Sequence, residues 1–342
     1  MNLVPKFNSN ELERIEKKAI IQSVNIDSMF RSNHRTTLSN DVLMRLPTNI
    51  PNVISMRLRS FEIPNTWYTF NSTNNYFYIQ TKFTDASGNI DEKVYTITIA
   101  EGNYDAGDLV TQINTFFKYT EQHNVNYLEH LHFEIDDYSS KTRIRYKTYN
   151  EAEIDQIFSV LTNEHVCDND EYNENILKHL EYSILFFVEN PVCAECPEYE
   201  TCGWTLGFRK TYYENIDLTR TKKLWSNTLY GVVESESIYA VNKMNYFYLV
   251  VDDFVGNSKE GFITGNDIRD YRIKNILARI QIKYGSLYVN VDNAEEHGHR
   301  QRDYKGPVNI EKLRLQLIDK YGKSLEVNGS DYSCVLEFVQ AR

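Results

Sequence analysis

The feature that most restricts the fold is a short-range alternation of apolar and polar residues, repeated in brief runs and interrupted by Gly, Pro, Asn, Asp or Ser. Ile54, Met56 and Leu58 alternate with Ser55, Arg57 and Arg59, and the phase then slips by one residue so that Phe61 and Ile63 carry the apolar face. A period of two presents one side of a strand to a core. A slip in that period is the trace that a β-bulge leaves in a sequence. Pro47, Pro51 and Pro64 punctuate the run, and because proline cannot donate to a ladder they place it at edges or corners.

The same reading extends along the chain. Tyr76–Phe83 and Lys93–Ala100 flank the turn-rich stretch from Asp85 to Asn89, and His132–Asp136 and Thr142–Lys147 flank Asp137–Lys141, so two hairpins are expected. Further strands are expected at Ile184–Val188, Leu229–Val233, Tyr246–Val251, Ile276–Ile282, Leu313–Ile318 and Cys334–Val339. Helices are few and short. Leu109, Ile113, Phe116 and Phe117 have helical spacing within Asp105–Lys118. Residues 8 to 21 read as an amphipathic helix with Asn8 as N-cap, Glu11 completing a capping box and Leu12, Ile15 and Ala19 on one face. Asn150 and Glu153 begin another before Ile154, Ile157, Phe158 and Leu161, and Glu171–Leu180 can form a second within the same acidic segment.

About a dozen strands with only short helices predict an all-β fold, a jelly-roll β-sandwich in preference to a doubly wound α/β sheet. A single jelly roll with elaborated loops is the favoured form. A double jelly roll is the architectural alternative, because about twelve strands exceed the eight of one roll without reaching sixteen. The 25 Tyr and 17 Phe suit such a body, since an aromatic ring buries a large area in a sheet or interface and the tyrosine hydroxyl keeps a hydrogen bond.

Charge divides the chain. From Glu151 to Cys202 there are thirteen Asp or Glu against a single Lys, a balance of −12 in a chain whose total is −11, so the remainder is close to neutral. The expected organisation is an N-terminal arm with its short helix at 1–25, the first part of the jelly-roll body at 26–150, a helical acidic Cys-containing insertion at 151–204 and the rest of the body at 205–342. There is no long basic run. Arg57/Arg59 and Arg143/Arg145 sit at strand spacing and read as one solvated face, so nucleic acid is not an expected partner. No stretch approaches the roughly 20 apolar residues of a membrane helix. Charged residues between Lys6 and Lys18 break any secretory h-region. The chain is therefore expected to stay in the cytosol, with the sequons at Asn71 and Asn328 as chance matches.

Three groups of residues carry candidate chemistry. Cys193-Ala194-Glu195-Cys196, with Cys202 downstream and Cys167 and His165 upstream, supplies thiolates that tetrahedral zinc would take, although the second step is Cys-x5-Cys. Cys167, Cys193, Cys196 and Cys202 are thus the candidate metal ligands, and structural zinc, disulfides and free thiols all remain open. Glu295-Glu296-His297-Gly298-His299 is read as a solvated loop, and Asp252-Asp253 as the turn after a strand. Cys334 lies in a strand pattern and is expected in the core. No Gly-x-Ser-x-Gly, Walker, dinucleotide or His-Glu-x-x-His motif is found. No catalytic or cofactor-binding residue is therefore assigned, and no cofactor is expected beyond that zinc.

Taken in order, several segments resemble the minor capsid proteins of giant, nucleocytoplasmic large DNA viruses. They are Ile26-Asp27-Ser28 with Arg31; Leu46-Pro47 and Ile50-Pro51-Asn52-Val53; Leu58 through Tyr68; Asn75–Ile79; Ile99–Tyr104 with Leu109 and Ile113-Asn114; Leu206-Gly207-Phe208; Leu317–Gly322; and Asn328–Ser333. Together they span most of the chain. The resemblance implies a jelly-roll, non-enzymatic component of an icosahedral virion, assembled in host cytoplasm. It would cement or link major capsid protein trimers or form the vertices. The implied partners are the major capsid protein, other minor capsid proteins and further copies of itself, and the acidic stretch departs from the shared pattern. Two other classes compete: a virion-surface carbohydrate-binding or attachment module, which exposed Tyr and Trp would serve, and a metal-dependent enzyme built on the Cys cluster or the His-Gly-His loop.

Overall fold

The computed structural model describes residues 19–85, 87–120, 126–148, 179–186, 198–214, 221–224, 227–240, 244–256, 261–264, 271–283, 288–293 and 300–341. Strands β1 (Ile20–Asp27), β2 (Asp41–Pro64), β3 (Tyr76–Thr84) and β4 (Ile90–Thr98) precede helix α1 (Ala106–Tyr119). Next come β5 (Leu131–Ile135), β6 (Lys141–Tyr146) and β7 (Leu180–Leu185), then the single turn α2 (Cys202–Thr205). Strands β8 (Tyr212–Glu214), β9 (Thr221–Leu224), β10 (Asn227–Tyr230) and β11 (Val233–Ile238) follow. The remaining strands are β12 (Tyr246–Asp252), β13 (Gly261–Thr264), β14 (Tyr271–Lys274), β15 (Ile276–Gln281), β16 (Val289–Asn293), β17 (Gln301–Ile318) and β18 (Ser333–Gln340). Every described strand pairing is antiparallel. The chain is β-rich and built of antiparallel sheets, as its alternation predicts. Its strands fall into two compact units, Met1–Trp67 with Met244–Arg342, and Tyr68–Lys243.

The main sheet of the first unit has the order β1-β18-β2-β17-β12-β15, with β16 also on β2, and β13 and β14 pair apart from it. Its core includes Val53, Met56, Leu58, Phe61, Ile63, Phe247, Leu249, Leu313, Leu315, Leu336 and Phe338. The sheet curls on itself: Phe61 of β2 and Phe247 of β12, which are not hydrogen-bonded neighbours, bring their rings to 5.6 Å. Bulges supply the bends. Against β18, strand β2 skips Arg59, because Val335 pairs with Ser60 and Leu336 with Leu58, and this is the phase slip visible in the sequence. A second skip at Ile54 places Val53 in the core and leaves Ile54 half-buried, so the apolar set begins one residue earlier than expected. Asn52 adopts φ +55° beside a further register shift against β17, a conformation that Asn tolerates better than most residues.

Strand β17 is much longer than the expected Leu313–Ile318, because its first half carries Arg302 and Tyr304 inward where an apolar pattern would be sought. Arg302 is 1% exposed. It donates to the carbonyls of Val251 and Asn275 at 2.8 Å and to Asp253 Oδ2 at 2.9 Å, while the Tyr304 hydroxyl donates to the same carboxylate oxygen at 2.7 Å. Burial and that carboxylate both push the Tyr304 phenol well up from its usual range. Asp252-Asp253 does form the turn after β12, since the two carboxylates accept from the N–H groups of Phe254 and Val255. Cys334 lies in the core, and burial pushes its thiol up to about 12.

The N-terminal reading needs correction. Ile20 and Ile21 are not the end of a helix but the start of β1, where every residue from Ile20 to Asp27 pairs with β18; residues 8–18 lie outside the described residues.

The second unit packs sheet β4-β3-β7-β8 against sheet β11-β6-β5. Tyr146 and Tyr182 cross between the sheets with rings 5.3 Å apart. The Tyr146 hydroxyl donates to the Leu180 carbonyl at 2.5 Å, and the Tyr182 hydroxyl lies between the carbonyls of Ile144 (2.7 Å) and Gly231 (2.6 Å), which share its one proton. Both predicted hairpins form. Helix α1 starts after Asp105, whose carboxylate accepts from Asp108 N–H, and it buries Leu109, Ile113 and Phe117. The expected strand Leu229–Val233 is instead two strands, broken where Gly231 turns with φ +54°. Arg143 and Arg145 are not solvated as expected: both are about nineteen-twentieths buried, at 5% and 4% exposure. Arg143 reaches Glu234 and Asp136 at 2.7 Å, and Arg145 reaches Glu134 at 2.9 Å, so carboxylates from β11 and β5 and the turn after β5 cover them. Arg57 and Arg59 do face solvent, around Glu337.

Candidate functional site

Segments from opposite ends of the sequence meet in the first unit. Ser28, at the start of the 3-10 turn Ser28–Phe30, donates its N–H to Tyr332 O at 2.9 Å, and its Oγ accepts from Tyr332 N–H at 2.9 Å. The same hydroxyl donates to Asp331 Oδ1 at 2.8 Å. Arg31 spreads its guanidinium over Asp331 Oδ1 (2.5 Å) and the carbonyls of Ser28 (2.8 Å), Thr37 (3.1 Å) and His34 (3.3 Å). Ser39 Oγ and Asn40 Nδ2 each donate at 2.6 Å to the carbonyls of Ser330 and Leu325. Thr66 Oγ1 donates to Val327 O at 2.7 Å, and Asn328 Nδ2 returns a bond to Thr66 O. Burial pushes the Tyr332 phenol well above its usual range, so the ring stays neutral in the clasp.

This clasp fixes the loop between β1 and β2, with Ser28 buried and its hydroxyl bonded to both Asp331 and the Tyr332 amide. It does present an apolar tip: Met29 is 54% exposed, Phe30 79% and Leu38 69%. A large apolar side chain on a backbone held by a fan of hydrogen bonds loses little freedom on binding, which is the property of an interface anchor.

A second surface lies on β16, whose polarity is inverted. Asn290 and Asp292 are buried, whereas Tyr288, Val289 and Val291 are exposed. Asn290 exchanges bonds with Lys283 N–H (3.0 Å) and Gln281 O (2.8 Å), and Asp292 pairs with Arg300 at 2.7 Å. Polar residues thus fasten the strand to its own unit and the β-branched residues face outward.

The sequence-predicted ligands do not form a describable site. Cys202 is buried at the first residue of α2, while Cys167, Cys193, Cys196 and His165, like Glu295–His299, lie outside the described residues. Among the described residues no three His, Cys, Asp or Glu side chains are grouped to hold a metal ion, and no helix is long and apolar enough to cross a membrane. The clasp was missed by sequence reasoning, although Ser28, Arg31, Thr66, Asn328 and Asp331 stand among the segments that carry the viral resemblance. What could have found it is their chemistry: Ser28, Asn328 and Asp331 are turn residues with side chains suited to bonding backbone.

No protein-family model matches the chain, and no curated protein matches it. Among solved structures it is similar to the mavirus penton protein, with 10% identity and a TM-score of 0.47, over 95% of this chain and 99% of that one. It is also similar to a chain of the Sputnik virophage structure solved by cryo-EM, with 13% identity and a TM-score of 0.40, over 94% and 98% of the two chains.

Proposed function

We propose that this protein is a structural component of an icosahedral virus capsid, acting through surfaces and not through catalysis. The observation that carries the reading is the ordered series of segments resembling minor capsid proteins. The convergence of three of them, Ile26–Arg31, Pro64–Trp67 and Asn328–Ser333, on one rigid clasp supports it. A shell component needs a body that does not deform and contact points held in place. Two β units with separate cores supply the first, and the clasped Met29–Phe30 tip and the outward face of β16 supply the second. Modest contacts of this kind, repeated over a lattice, hold by avidity.

Within the shell, the reading places the protein between or beneath major capsid trimers, or at a vertex. The cysteines of the 151–204 stretch remain proposed ligands of a structural zinc or partners in disulfides, and that acidic stretch is proposed to engage a partner of its own. Cryo-EM of the purified particle, with quantitative mass spectrometry of its protein content, tests the assignment. Density for this chain at symmetry-related positions in the shell is the expected result, and its absence from the shell would overturn it.

A further inference from the structure

Strand edges are where sheet proteins protect themselves, because an unpaired row of N–H and C=O groups accepts any passing strand. Five other edges of the described sheets are blunted. Strand β4 carries Asp91, Glu92 and Lys93. At the edge of β5, the Asn114 side chain of α1 takes both backbone groups of Phe133, at 2.7 and 2.9 Å. Strand β11 carries Glu234 and Glu236 and a register shift, β8 is three residues long, and β15 has a register shift and an exposed Arg279.

Strand β1 has none of these devices. Its eight residues, Ile-Ile-Gln-Ser-Val-Asn-Ile-Asp, pair with β18 in unbroken register, contain no proline and carry no charge before Asp27. It is the terminal strand of its sheet, with no second partner among the described residues. Ile20 and Ile21 are 45% and 57% exposed at its start, and Met29 and Phe30 are exposed just beyond its end.

We propose that β1 is a self-association edge, on which β1 of a second copy of this chain adds antiparallel across a two-fold axis. Charge favours this occupant. Antiparallel pairing centred on Ser23, which then faces the Ser23 of its mate across the axis, sets the Asp27 of each strand opposite Ala19 of the other and Ile26 opposite Ile20, so no like charges meet. It also brings the apolar start of each strand alongside the turn that carries Met29 and Phe30 in its mate. A two-fold edge-to-edge contact consumes both edges and closes, so an unguarded strand can persist without growing into a fibre. The inference rests on strand geometry and stands apart from the capsid reading.

The test uses the full chain at micromolar concentration, with mass photometry and sedimentation for stoichiometry and hydrogen exchange for location. The expected result is a dimer whose formation protects the amides of residues 20–27. Ser23→Lys with Asn25→Lys, at two exposed positions, is expected to weaken dimerisation at least tenfold with the melting temperature of the monomer retained. Ser23→Cys is expected to cross-link two copies under mild oxidation. A monomer at all concentrations, or an oligomer that the double-lysine variant and β1 protection leave unmoved, would overturn the proposal.

Discussion

The two units reach the same sandwich principle by opposite routes. In Tyr68–Lys243 the sheets begin from hairpins whose strands are close in sequence, β3 with β4 and β5 with β6, and α1 lies between them in the chain. In the other unit, β1 and β2 pair with β17 and β18, some 300 residues away in register terms such as Ile26 with Cys334. The hairpins of the local unit are in unbroken register, and its described shift falls in β11 against β6, whereas the long-range unit is bent by bulges at Ile54 and Arg59. Local pairing defines its own register through a turn, whereas strands recruited across a whole chain need pinning, and here buried polar groups do it: Arg302 with Asp253 and Tyr304 in one place, Asp331 with Ser28 and Arg31 in another.

If that contrast is right, damage should stay within the unit that receives it. The largest effect is expected from Arg302→Met, which leaves Asp253 buried without its cation and should cost about 3–5 kcal/mol. Denaturant unfolding followed by hydrogen exchange should show the loss in β12 and β17 with α1 and β3 still protected; equal loss in both units would break the comparison.

Acid should act on the other unit. His130 is held at about 4, below its usual 6.5, by burial first and by the nearby Lys147 charge second. The unfolded chain takes up that proton at higher pH than the fold does, so the stability present above 6.5 is lost as pH falls towards 4, by on the order of 2–3 kcal/mol. A pH series of melting curves should show this step, and His130→Gln should flatten it.

A smaller effect tests the second unit's tight corner. Gly207 has φ +95°, and a Cβ there would run into the Ser237 carbonyl, so Gly207→Ala should cost roughly 2 kcal/mol. Protection should drop in α2 and β11; unchanged stability would mean the corner relaxes. The smallest is Asp105→Ala, which removes the N-cap of α1 and should cost about 1 kcal/mol in thermal unfolding, with no change in β17 exchange. A larger loss would show that α1 organises more of its unit than its own first turn.

The same contrast explains what could be read in the sequence. Helix α1 and both hairpins were legible because spacing and turn chemistry are written within a few residues, as in Asp105 before Leu109, Ile113 and Phe117. The bulge at Arg59 was legible as a phase slip. The first half of β17 was not, because Arg302 points inward and the period then reads as polar. Arg143 and Arg145 looked solvated because the carboxylates that cover them come from Glu134, Asp136 and Glu234, and only folding brings Glu234 near. The clasp is the extreme case: Arg31 and Asp331 are 300 positions apart, and nothing local in either segment names the other.

The insertion of one unit between Trp67 and Met244 of the other has a consequence for synthesis. A ribosome delivers β1 and β2 first, then all of Tyr68–Lys243, and only afterwards the strands that pair with the first two. The inserted unit can therefore fold while its host is still half made, reversing the usual order in which the earliest segment folds first. Until β16, β17 and β18 emerge, the 24 residues of β2 have no sheet to join. Any chaperone that attends this chain during translation should be found on its first 67 residues, long after they have left the exit tunnel.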